Sequence, residues 1–90
     1  MFVIAPKIYP RETDMLTDRQ VQTAKARERS YKLFDAGGLL FLEVSPAGGK
    51  LWRWRYRFGG KEKLLALGKY PGVGVKAARK RAADARQAVD

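Results

Sequence analysis

With 90 residues and neither cysteine nor histidine, the chain is sized for one thin-cored domain and offers no disulfide framework and no thiolate or imidazole metal site. The missing histidines also remove the commonest general base, so no catalytic centre and no cofactor are expected of its nine carboxylates. Nineteen basic residues leave a formal net charge of +10, and seven of them, against one acid, lie between positions 50 and 69. A field concentrated in this way points to a polyanionic partner, nucleic acid before an acidic membrane surface.

The opening "MFVIAPKIYP" has an apolar run too short to span a bilayer and no convincing cleavage pattern. A cytoplasmic, membrane-free setting is therefore expected, with residues 1–15 as an irregular lead-in. Thr17 precedes Gln20 by three residues, the spacing of a capping box, and Asp18 suits a first helical turn. A short helix over 18–25 follows, with Val21 and Ala24 inward, and "KARERS" is a charged connector.

"YKLFDAGG" reads as a brief extended segment ending in a turn, where Asp35 folds onto its own backbone ahead of Gly37 and Gly38. "LLFLEV" is a strand with Leu40, Leu42 and Val44 on one side and Phe41 and Glu43 on the other. "SPAGG" reverses the chain into a second strand over 50–58, and Gly59-Gly60 is a two-residue hairpin loop. "KEKLLAL" returns as the third strand, and "GKYPGVG" is expected to end the ladder. From Val75 the period becomes helical. Val75, Ala78, Ala82, Ala85 and Val89 form one stripe, and Lys76, Arg79, Lys80, Arg81 and Arg86 lie on the other side. The sum is an α+β fold: a three-stranded antiparallel sheet packed on one C-terminal amphipathic helix, with a short N-terminal helix.

The stretch "WRWRYRF" decides which side of the sheet is bare. Its residues alternate faces, and burying an unpaired arginine costs several kcal/mol, about what pairing would have to return. Trp52, Trp54, Tyr56 and Phe58 are thus assigned to the helix-covered core, and Arg53, Arg55 and Arg57 to the open face at a spacing of about 7 Å. An open sheet face carrying arginines suits the major groove, where guanidinium forks meet guanine edges or phosphates. Lys50, Lys61, Lys63 and Lys69 gather near strand ends and the hairpin tip, positions suited to phosphates. Alternatives remain in view: tryptophans exposed as a stacking platform for single strands, and a free amide set at Gly74 and Lys76 that would take a phosphate rather than simply cap poorly.

The ordered run "LTDRQVQTAKARERSYKLFDAGG", "LFLEV", "PAGGKLWRWRYRFGGKEK" and "LALGKYPGV", followed by an "AAR" helix, resembles the amino-terminal arm-type DNA-binding domain of phage and genomic-island integrases, which are tyrosine recombinases. The resemblance runs over 16–90. It implies a module that holds double-stranded DNA at arm-type sites through the sheet, with Arg53, Arg55 and Arg57 in the groove. It also implies that cutting through a tyrosine nucleophile belongs to separate domains, in the service of integration and excision. The alternative is a protein-interaction module contacting neighbouring integrase protomers or a directionality factor, through Arg79 or Arg86. Residues 1–14 have no counterpart in the usual pattern. "GGLLFLEV" is one residue longer than the usual join, which leads to an expected bulge at Leu39. Gly74 and Lys76 to Ala77 stand in place of a more usual serine and acidic cap.

Overall fold

The computed structural model describes residues 15–89, so the expected lead-in lies, but for Met15, outside the described residues. The elements run α1 (Asp18–Thr23), β1 (Tyr31–Phe34), β2 (Leu40–Val44), β3 (Lys50–Phe58), β4 (Lys61–Tyr70) and α2 (Val75–Val89). The strands form one antiparallel sheet in the order β1-β2-β3-β4. The class is the α+β arrangement read from the sequence, but with four strands instead of three. The extra strand is "YKLF", whose four residues pair Tyr31 with Val44 through Phe34 with Phe41. Four residues are too few for a period to announce a strand. What makes it one is the tight return, in which Asp35 N donates to Leu40 O (2.9 Å) and Gly38 N to Asp35 O (2.9 Å).

Helix α1 begins as the spacing predicts. Gln20 N donates to Thr17 Oγ1 (3.1 Å), and Gln20 Oε1 accepts from Thr17 N (2.8 Å), the reciprocal capping box. It ends two residues earlier than expected, at Thr23, and Val21 is its fully buried contact.

The β3–β4 hairpin turns through Gly59 and Gly60 at φ 62° and 77°, the pair of left-handed conformations that a two-residue loop requires. Contrary to expectation, the ladder does not stop at Gly68 but runs on through Lys69 and Tyr70, which face Leu51 and Lys50. A register shift between Trp52 and Arg53 lets it continue. The sheet's irregularity therefore falls there rather than at Leu39, the position expected to bulge. Gly68 sits at φ 126°, a conformation that side-chain-bearing residues rarely adopt.

The core lies between the sheet and the two helices. Leu40, Leu42, Val44, Trp52 and Trp54 meet Leu16, Val21, Leu67, Val73, Val75 and Ala78, with Ala82, Ala85 and Val89 partly buried against them. The alanine stripe lets α2 lie close to the sheet, and the indoles supply the volume. Trp52 is fully enclosed, and its Nε1 donates to Val73 O (2.7 Å), so the buried polar atom is satisfied by the loop before α2. Trp54 stacks on Tyr56 with centroids 4.9 Å apart. Phe58, assigned to the core on alternation alone, is instead 59% exposed. Beyond Trp54 the ladder to β2 is finished, Arg55 N to Leu39 O (2.8 Å) being its last bond, and the hairpin tip projects past the layer that α2 covers.

Candidate nucleic-acid interface

The side of the sheet away from α2 is built by cross-strand register. Arg53 stands between Phe41 on β2 and Ala66 on β4, Arg55 opposite Leu64, and Arg57 opposite Glu62. Lys69, paired with Leu51, faces the same way. Lys32 joins from β1 through its pairing with Glu43, a cation that sequence reasoning misses because so short a strand carries no period. The face is therefore a cationic field of three arginines and two lysines, crossed by the carboxylates of Glu43 and Glu62.

Those carboxylates change the electrostatics expected from counting charges, in which the arginines had no acid to meet. Arg53 Nε lies 3.1 Å from Glu43 Oε1, with both side chains about one-third exposed, although its N–H is not aimed along a hydrogen bond. Arg55 donates from Nη2 to Gly38 O (3.1 Å), holds Nη1 4.0 Å from Glu62 Oε2, and sets its guanidinium 5.9 Å from the Phe34 ring centroid. Arg57 is exposed. Beneath this row lies a second apolar cluster that sequence alternation assigned to the open side without predicting its burial. Phe41 is 1% exposed there, 5.5 Å from Phe34 and with Lys32 Nζ 5.1 Å from its ring centroid. The cluster gives the face a firm floor, and the charged groups of Lys32 and Arg55 lie over its rings.

The other expected positions separate. Lys61 and Lys63 pair with Phe58 and Tyr56 and so point from the reverse of the hairpin tip, both exposed. Lys50 is turned under α1, where its ammonium donates to Val21 O (2.7 Å) and Gln22 O (3.2 Å) and lies 5.4 Å from the Tyr70 ring centroid. A cation on the last carbonyls of a helix is a cap, and this one ties α1 to the sheet. The tryptophans expected as an alternative stacking platform are buried, Trp52 at 0% and Trp54 at 6% exposure.

Two arginines assigned to the solvent side of α2 turn inward. Arg81 Nη1 donates to Leu67 O (2.8 Å). Arg79 closes a network at the β1–β2 turn. Its Nε and Nη2 donate to Asp35 Oδ2 and Oδ1 (both 2.9 Å), and Nη2 also reaches Leu16 O (2.7 Å). The Asp35 carboxylate accepts from the adjacent Ala36 amide, the fold onto its own backbone that the sequence suggests, and its Oδ1 also accepts from Leu16 N (2.8 Å). Burial pushes the Asp35 carboxyl up, but the Arg79 hydrogen bonds, the Leu16 and Ala36 amides and the Arg79 charge together hold it below its ordinary value. The same carboxylate raises Arg79 against the opposing effect of burial.

A four-stranded sheet with one covered and one cationic face defines a small basic binding module of mixed α+β class. Residues 16–90 match the Arm DNA-binding domain family, and the chain belongs to that family. It is 45% identical over 73 residues, 81% of its length, to an integrase of Shigella phage Sf6 and, with the same figures, to the prophage integrase IntS of Escherichia coli (strain K12). It is also 45% identical over 74 residues to an integrase of Enterobacteria phage P4. The chain spans about a fifth of each of these relatives, 19%, 19% and 17% of their lengths. Among the described residues no helix is long and apolar enough to cross a membrane.

Proposed function

We propose that the chain is the duplex-DNA-binding module of an integrase, anchoring the recombinase at arm-type sites through the helix-free face of the sheet in the major groove. The observation that carries the reading is the row Arg53, Arg55 and Arg57 on the one face that α2 leaves bare, joined there by Lys32 and Lys69. A narrow sheet laid with this face into the groove brings guanidinium forks to base edges, and the lysines meet the flanking phosphates. Lys61 and Lys63, on the reverse of the tip, suit the phosphate wall rather than the groove floor. Lys50 is engaged as the α1 cap and contributes to the positive field, not to a contact. Strand exchange in integration and excision would be the work of other domains of such a protein.

Arg55→Ala tests the face. Measured by gel shift on a duplex selected from a randomised pool, it is expected to cost about 1–3 kcal/mol and to relax preference at one base pair. Unchanged affinity and preference would move the site elsewhere. The second reading, docking to neighbouring protomers or a directionality factor, rested on Arg79 and Arg86. Arg79 is occupied by Asp35, which removes half of that basis.

A further inference from the structure

We propose that the three arginines act differently on DNA, with Arg53 and Arg55 reading base edges, Arg57 gripping phosphate, and Glu43 serving as the positioning residue of Arg53. The inference rests on the sheet-face reading above and assigns roles within it.

A base edge is recognised by a guanidinium whose plane is fixed, because the fork discriminates only when both donors arrive at set angles. A phosphate is indifferent to the approach angle, and a mobile cation serves it well. The three side chains differ in this respect. Arg53 has its stem flanked in register by Phe41 and Ala66 and its Nε buried beside Glu43, so the exposed third of the side chain is the remainder. Arg55 is held at Nη2 by a hydrogen bond to Gly38 O, which leaves a second N–H there, and Glu62 lies 4.0 Å from its Nη1 without a hydrogen bond. Arg57 stands opposite Glu62 in register, yet among the described residues Glu62 pairs with Arg55, and Arg57 has no ion pair or hydrogen bond. Arg55 is therefore restrained by a hydrogen bond and Arg53 by burial of its Nε in an ion pair with Glu43 before DNA arrives, and Arg57 has neither restraint.

The acids make the same point from the other side. A carboxylate on a DNA-facing surface repels phosphate and weakens every non-specific complex. Glu43 and Glu62 both lie on that face, and the geometry gives them a compensating role: Glu43 is paired at 3.1 Å with the buried Nε of Arg53, and both acids penalise attraction by charge alone.

The test uses the whole chain, a duplex selected by it from a randomised pool, and a scrambled duplex of the same composition. Arg53→Lys keeps the charge and loses the fork; the ratio of selected to scrambled affinity is expected to fall about tenfold. Arg57→Lys and Arg57→Ala are expected to weaken both probes alike with the ratio kept, and Arg57→Ala to reduce the salt slope by about one. Glu43→Ala removes a negative charge, so binding to the scrambled duplex should tighten while the ratio falls. A purely electrostatic Glu43 would tighten both probes equally and overturns the positioning role. Urea midpoints matching the parent chain would show that each variant folds, and if Glu43→Ala does not fold, the lysine pair still decides. Arg57→Lys lowering the ratio as much as Arg53→Lys overturns the division while leaving the sheet face intact. No enriched sequence from the pool, or unchanged binding after alanine replacement of all three arginines, overturns the face reading as well.

Discussion

Asp35 and Arg79 lie 44 positions apart, and their contact joins α2 to the β1–β2 turn and to the backbone before α1. A pair this well bonded is costly to break from one side, because the remaining charge is left without its partner. Arg79→Ala is expected to lower stability by about 2–4 kcal/mol in urea denaturation, short of the fully buried range because Arg79 is about one-third exposed. The depressed Asp35 pKa sets the sign with pH. The unfolded chain takes up this proton first, so the contribution is complete above the ordinary value of 3.8 and is lost as pH falls through the lower folded value. Urea midpoints of the parent chain should therefore drop in the acid range below about pH 4. In Asp35→Asn this part of the drop should be missing, and an unchanged acid profile would deny the pair its role.

Gly68 is the other residue with an outsized effect. An added Cβ would lie 2.5 Å from Val73 Cγ2, with Arg81 Nη1 at 3.2 Å, at a φ of 126°. Strain and overpacking each cost about 1–3 kcal/mol, so Gly68→Ala is expected to destabilise by at least about 2 kcal/mol in the same assay. A variant as stable as the parent would mean that the bulge can relax.

At the scale of elements, α2 is the least well begun. Ala78 N donates to Gly74 O (2.9 Å), but glycine brings no side-chain acceptor for the first free amides. A Cβ at Gly74 meets nothing within 4 Å, so a serine can be accommodated. Gly74→Ser should raise stability by a few tenths of a kcal/mol, about 2 °C in thermal midpoint for a domain of this size. A decrease would show that position 74 needs glycine for its backbone. The elements with strong local signals are legible from the chain alone: the Thr17–Gln20 cap, the Gly59-Gly60 turn, the alternation of β3 and the alanine period of α2. Where the local signal is short or ambiguous, sequence and structure part. β1 is four residues long, and the end of β4 carries a glycine and precedes a proline, signals that ordinarily close a ladder.

At the scale of the whole molecule, the charge that predicted a polyanion is unevenly available. Arg79 and Arg81 bond within the fold, Lys50 caps α1, and Arg53 and Arg55 sit beside carboxylates. The number of phosphates neutralised should then be well below the net charge of +10. For about four contacts, affinity for duplex DNA should fall roughly a hundredfold between 50 and 200 mM salt. A salt-insensitive gel-shift titration would remove the groove reading, and a slope near ten contacts would mean that the internally bonded cations are released on binding.

Chain composition and periodicity were enough to place a small basic α+β domain, the helix over the tryptophans and the arginines on the opposite face. These follow from local rules: strand residues alternate, helical residues recur every three or four, and arginine resists unpaired burial. Which arginines are already engaged was decided by tertiary structure alone. Glu43 reaches Arg53 from the neighbouring strand, and Gly38 reaches Arg55 from a turn 17 positions away. Asp35 reaches Arg79 between sheet and helix. Partners so far apart along the chain leave no local pattern, and they meet only when register and packing bring them within bonding distance.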